Sequence, residues 1–444
     1  MSLSIEHQID ELEPDYERFL LEVFSSSLSN NFTENYSDPV LEIFTDSDFE
    51  VLSDLIEKKM PDKKIHLEKF AEKRNFAKNF QENQIFLLKN WISDEKLFLD
   101  GNFVRIFLGI PPILTPQIFW EISKNSENLP ENWIINLSDF LEFYEKFSKM
   151  NYFEKIFFLL QKNKKNFLDF FDLKNLAENV LKFHPSLNFL NETPEFKKPF
   201  IESVAARIIY FYDENFTRKI LLRKMKNKKL IYNLFLISFS EDINLSPFFS
   251  YKQFYILYSS AWKLGFIKSL ELDPRSLYRY DNSLINDLIV ERILGGFGTK
   301  NLKLNSSISF EEFIYFMISI EDLNSLTAIN YFFNLLDFFG DGKIYFSEIF
   351  RFYENLEKKL KKINSEFFNF EIYKKILIDL ISPKNLNYFE KNEIIKSGLF
   401  EEFFSLIISG ERAIFFILNN SQKNRKFGTG KKWNEFCERK FNNI

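Results

Sequence analysis

The chain has 444 residues, a formal net charge of −5, three histidines and one cysteine. That length can bury a large core and suggests two or three domains. One cysteine, Cys437, excludes an intramolecular disulfide and fits a reducing, intracellular compartment, cytoplasmic or nuclear. Three scattered histidines (His7, His66, His184) exclude a histidine-based metal centre, and the mild acidity gives no reason to expect nucleic acid.

The amino terminus, MSLSIEHQIDELEPDYERF, is acidic and lacks the apolar core of a secretory signal. No run of about 18 uncharged apolar residues occurs, which argues against a membrane span. Residues 1–92 are charged, with few long apolar faces, and are expected to pack poorly. The chain carries 57 Phe against 12 Gly; these phenylalanines read as core filler, not as a platform for stacking bases.

From about residue 93 the sequence is densely apolar. FVRIFLGIPPILTPQIFWEI (103–122) holds Pro111, Pro112 and Pro116, which reads as an ordered loop leading into a helix. His184 has no nucleophile or metal set beside it, so a structural hydrogen-bonding role is expected. GGFGTK (295–300) lacks the spacing of a phosphate-cradling loop, and its glycines read as the end of the preceding helix LIVERIL. In TAINYFFNLLD, Ile329, Phe332, Phe333 and Leu336 fall on one helix face, and Ile349, Phe352, Tyr353 and Leu356 repeat that spacing.

Between those two helices lies LLDFFGDGKIYFSEI (335–349). A calcium-binding EF-hand loop of twelve residues takes oxygens from positions 1, 3, 5, 7, 9 and 12, with Gly at 6. Counted from Asp337, position 5 is Asp341, 6 is Gly342, 7 is Lys343 through its carbonyl, 8 is apolar Ile344 and 12 is Glu348. Position 3 is Phe339, which offers no ligand. The candidate metal ligands are therefore Asp337, Asp341, Lys343 and Glu348, about five oxygens against the 6–8 that calcium takes, so calcium binding is expected to be weak or lost.

The same offsets recur 36 residues earlier at NLKLNSSISFEE (301–312), with Ile308 at position 8 and Glu312 at 12. They recur again at GFIKSLELDPRS (265–276), with Leu272 at position 8 and Ser276 at 12. Fainter copies are DENFTRKILLRK (213–224), with Ile220 at position 8, and SPKNLNYFEKNE (382–393), with Phe389 at position 8. The loops at 301–312, 265–276 and 382–393 lack most acidic ligands and should be metal-free. Repeated helix–loop–helix units imply an all-α fold of tandem EF-hand-like units. Two lobes are expected, 93–245 with a degenerate EF-hand and 246–444 with paired units and carboxy-terminal helices. Basic runs at 221–230 and 354–364 read as solvated helix faces. Cys437 reads as a buried, inert thiol.

Several segments together resemble the B″ regulatory subunits of protein phosphatase 2A. HPSLNFLNETPEF (184–196) resembles that family's HPGLEFL-x-x-x-PEF, and SVAARIIYFYDEN (203–215) its following helix. FSYKQFYILYSSAW (249–262) resembles FSYEHFYVIYCKFW, and RYDNSLINDLIVERILGG (279–296), 308–337 and KKWNEFCERKF (431–441) continue in order. The chain departs from the pattern at Gly265, Ile267 and Ser269, where many members carry acids, and at Phe339.

The resemblance implies a non-enzymatic regulatory subunit that binds the HEAT-repeat scaffold and catalytic subunits and selects phosphoprotein substrates. No catalytic constellation is visible. The other reading open at this point is a calcium-sensing EF-hand adaptor of the cytoskeleton or centrosome, independent of the phosphatase.

Overall fold

The computed structural model describes residues 98–100, 110–123, 134–136, 151–162, 165–225, 229–265, 271–272, 274–302, 308–365, 367–419 and 431–442, with scattered positions between 139 and 150. The segment 1–92, expected to pack poorly, lies outside them.

The elements run β1 (Phe98–Asp100), α1 (Thr115–Ser123), β2 (Ile134–Asn136), α2 (Tyr152–Leu160), β3 (Phe167–Asp169), α3 (Phe170–Phe183), α4 (Pro194–Tyr212), β4 (Lys219–Leu221), α5 (Leu222–Met225) and α6 (Lys229–Phe239). They continue with α7 (Tyr251–Lys263), β5 (Glu271–Leu272), α8 (Pro274–Leu277), α9 (Asp287–Leu294), β6 (Ile308–Ser309), α10 (Phe310–Glu321) and α11 (Leu326–Leu336). The last are β7 (Lys343–Tyr345), α12 (Phe346–Lys362), α13 (Phe370–Ile381), β8 (Tyr388–Glu390), α14 (Lys391–Ser397), α15 (Phe400–Ile408), α16 (Gly410–Asn419) and α17 (Lys431–Phe441). The strands are two or three residues long, so the fold is all-α, as expected.

Contacts group the chain into two units that interleave in sequence. One takes the described parts of 1–168 with 178–188 and 221–246; the other takes 169–177, 189–220 and 247–444.

In the first unit, the proline-rich stretch becomes a 3-10 turn at Pro112–Leu114 that runs into α1. Its Ile113 N–H donates to Ser238 Oγ of α6 at 3.1 Å. Leu114, Ile118, Ile156, Leu230 and Leu234 are fully buried around it. Helix α2 starts on a capping box: Asn151 accepts from the Glu154 N–H, and Glu154 accepts from the Asn151 N–H. His184 is buried and bonded to the Ser240 carbonyl (3.1 Å) and Ser186 Oγ (3.0 Å). A carbonyl only accepts, so Nε2 carries the proton and Nδ1 accepts from the serine hydroxyl.

In the second unit, α4 packs along α10 through Tyr210, whose hydroxyl meets Ser319 Oγ at 2.9 Å. Thr327 of α11 donates to the Tyr210 carbonyl at 3.0 Å. The Gln253 side-chain amide joins α7 to α17. Trp433 Nε1 donates to Gln253 Oε1 (2.8 Å), and Gln253 Nε2 donates to Asn434 Oδ1 (2.8 Å). Buried Arg207 reaches the same Gln253 oxygen (3.4 Å) and the carbonyls of Ser203, Pro247 and Ser250. Burial lowers the Arg207 guanidinium to about 9. Cys437 is buried on α17, and burial pushes its thiol well up, which leaves it inert.

The glycines of GGFGTK end α9 in a Schellman motif. Gly296 has φ of +74°, its N–H donates to the Ile293 carbonyl (2.9 Å), and the Phe297 N–H donates to the Arg292 carbonyl (3.0 Å). On the basic face of α12, Lys359 departs from the expected solvated role. Its Nζ pairs with Asp287 (2.6 Å) and bonds the Ser283 and Ile285 carbonyls.

Candidate functional site

Helix α11 begins on Ser325, whose hydroxyl accepts from the Ala328 N–H at 3.1 Å. Its apolar face, Ile329, Phe332, Phe333 and Leu336, is buried, as is that of α12 with Ile349, Phe352, Tyr353 and Leu356. These two buried stripes hold both ends of the 337–348 loop in place. The loop turns at Gly342, whose φ of +83° would strain any residue with a Cβ.

The three loop carboxylates all accept hydrogen bonds from their own loop. Asp337 accepts from the N–H groups of Gly340 (2.6 Å) and Gly342 (2.9 Å). Asp341 accepts from the Lys343 N–H (3.0 Å) and the Tyr345 hydroxyl (2.9 Å). Glu348 is buried, and Oε1 accepts from the N–H groups of Phe338 (2.6 Å) and Phe339 (3.2 Å), while Oε2 accepts from the Tyr345 N–H (2.7 Å). Burial raises the Glu348 carboxyl; its three backbone hydrogen bonds oppose that shift, and Asp337 adds to it.

The loop keeps oxygen donors at positions 1, 5, 7 and 12 and lacks one at position 3. Position 3 is Phe339, 69% exposed, with its ring 5.9 Å from Tyr345. Both Glu348 oxygens, which a calcium loop turns to the metal, are bonded to backbone N–H groups. Among the described residues, no three or more His, Cys, Asp or Glu side chains gather as a metal would require. Lys343 lies in β7 with its ammonium 4.4 Å over the Tyr388 ring.

The partner of the 337–348 loop is the 382–393 loop. Strands β7 and β8 pair antiparallel, with Ile344 opposite Phe389 and both side chains fully buried. A second pair repeats the design: β5 and β6 place Leu272 opposite Ile308. The 301–312 unit closes on a capping box in which Glu312 accepts from the Ser309 N–H at 3.0 Å. Much of these two loops, 266–270, 273 and 303–307, lies outside the described residues.

One participant is invisible to spacing. Arg292, on α9, donates to the carbonyls of Asn334 (3.0 Å) and Asp337 (2.6 Å), the last turn of α11 and the first residue of the loop. Its guanidinium lies 4.1 Å from the Phe297 ring centre and 4.3 Å from that of Phe338. Nothing in the loop's own sequence signals this contact, because the two segments are far apart in the chain.

Paired loops joined through their eighth residues, each flanked by amphipathic helices, define an EF-hand-like protein. Comparison with known proteins narrows that class. An EF-hand domain family model matches residues 151–238. The chain is 25% identical to the probable B″delta regulatory protein of protein phosphatase 2A from Arabidopsis thaliana, over 75% of its own length and 62% of the relative's. It is 31% identical to the human B″ alpha regulatory protein of the same phosphatase, over 52% of its length and 20% of that protein's. A chain of a solved PP2A PR70 holoenzyme, marked diCa, superposes with a TM-score of 0.56 at 28% identity, over 60% of this chain and 98% of that one. The chain is a relative of the B″ regulatory subunits of protein phosphatase 2A, and the resemblance read from its segments is borne out. It spans less than two thirds of the length of the B″delta relative.

Proposed function

We propose that this protein is a regulatory subunit of protein phosphatase 2A that binds the scaffold and catalytic core and directs substrate selection. The observation that carries this reading is the likeness to the PR70 chain of a PP2A holoenzyme, which covers 98% of that chain. Such a subunit works without touching the reacting phosphate: it raises the local concentration of chosen phosphoproteins at the active site and hinders others. The protein is itself no enzyme on this reading, and it acts inside the cell, in cytoplasm or nucleus.

Calcium affinity at 337–348 is weak or lost, and Asp337, Asp341 and Glu348 serve as hydrogen-bond acceptors that shape the loop. The calcium-sensing adaptor has no comparable support, since it needs a competent ion site. Added to the purified phosphatase core, the protein should speed dephosphorylation of some phosphoproteins and slow others, with a small aryl phosphate cleaved at an unchanged rate. Identical rates for every phosphoprotein with and without it would overturn the reading.

A further inference from the structure

We propose that helix α7 and the 189–196 segment form a docking strip for an extended, proline-containing basic segment of a partner protein. The inference goes beyond the phosphatase reading and does not depend on it, because every residue of the strip belongs to one unit of this chain.

The strip starts from spacing. Tyr251, Phe254, Tyr258 and Trp262 fall at i, i+3, i+7 and i+11 along α7, one helix face. Phe254 is fully buried and forms the floor, its ring 5.6 Å from both tyrosine rings. The 189–196 segment then sets a phenylalanine against each tyrosine. Phe189 meets Tyr251 at 4.9 Å and 87°, and Phe196 meets Tyr258 at 5.2 Å and 78°. Near-perpendicular rings leave a notch, the shape in which aromatic-lined grooves receive a prolyl ring. Trp262 extends the row, its ring 6.4 Å from Tyr258. Phe189 is 44% exposed and Trp262 57% exposed. A single exposed ring is ordinary, but a row joined ring to ring marks an interaction surface.

The distance between the notches selects the occupant. Seven residues of helix separate Tyr251 from Tyr258, a rise of about 10 Å. One turn of polyproline II helix advances about 9 Å in three residues, so prolines three apart reach both notches. Charge selects the flanking residue. Glu192 and Glu195 lie between the two phenylalanines, both exposed, and neither has an ion-pair partner among the described residues. Lys252 of α7 is taken up by Glu438 (3.8 Å) and the Phe441 ring (5.5 Å). Lysines follow Phe196 and Trp262 in sequence (Lys197, Lys198 and Lys263), so the acidic end of the strip is the one toward Phe189. The basic residue of the occupant belongs there.

The test uses the full chain and a fluorescein-labelled decapeptide with two prolines three residues apart and two arginines, read by fluorescence anisotropy. Saturable binding is expected. Trp262→Ala should weaken it about tenfold, the scale of a buried interface ring, and leave Tm unchanged because the side chain is exposed. Glu192→Gln combined with Glu195→Gln should weaken it about threefold and flatten its salt dependence. Peptides with alanine for both prolines, or glutamate for both arginines, should bind about tenfold more weakly. Absence of saturable binding would overturn the proposal, as would equal binding of the alanine peptide, which would make the row a general apolar contact. Self-association abolished by Trp262→Ala would assign the face to a second copy. Loss of co-elution with the phosphatase core in that variant would assign it to the core, and either result overturns the proposal. A peptide that fails to bind leaves the phosphatase reading untouched, since assembly is read by co-elution.

Discussion

Ile344 and Phe389 are antiparallel partners in adjoining short strands, and both side chains are fully buried. Each is the eighth residue of its twelve-residue loop. Two half-units that would each expose an apolar face close it against one another here, which contributes about 1.5–3 kcal/mol per fully buried side chain. Phe389→Ala should therefore destabilise the second unit by about 3–5 kcal/mol, and Ile344→Val by about 0.5–1.5 kcal/mol. Denaturant titration of both variants checks the ranking; equal, small losses would mean that the pairing is dispensable.

Gln253 should matter more than an ordinary helix residue. It bonds Trp433, Asn434 and Arg207 at once. Gln253→Leu strands a buried indole N–H and removes one acceptor from a buried guanidinium, a loss of about 1–3 kcal/mol for each group left unsatisfied. Hydrogen exchange in α17 should quicken in this variant while exchange in α6 is unchanged.

Gly296→Ala tests the helix end behind Arg292. The residue has φ of +74°, and an added Cβ would lie 1.9 Å from the Asn301 carbonyl oxygen. A cost of about 2 kcal/mol or more is expected, from backbone strain together with the clash. A urea midpoint equal to that of wild type would contradict the local geometry.

Burial holds His184 below its ordinary value of 6.5, with Ser240 and Asp242 opposing the shift. A depressed histidine binds fewer protons folded than unfolded just below pH 6.5, so its contribution is full above that pH and is lost as pH falls. Protonation at Nδ1 would also cost the bond accepted from Ser186. Between pH 7.5 and 5.5 wild type should lose stability more steeply than His184→Gln; parallel curves would remove His184 as the cause.

The eighth-position residues were legible in the sequence because apolar spacing within a loop is local information. Ile308, Leu272, Ile344 and Phe389 all stand in strands where the spacing puts them. The unit around β3 was not legible, because residues 161–172 hold no central glycine and few acids; the EF-hand family match over 151–238 includes them. Arg292 was hidden as well, since a side chain reaching a loop from another helix leaves no trace in that loop's spacing. Lys359 was hidden in the same way, one lysine in a basic run distinguished only by where Asp287 folds.

The most direct measurement is co-elution of the purified protein with the phosphatase scaffold and catalytic subunits by size exclusion, in calcium and in chelator. One stable trimer is expected under both conditions, with the 337–348 loop serving as architecture. A trimer that forms only in calcium would contradict the metal-free loop, and the absence of a trimer in both conditions would contradict the phosphatase reading.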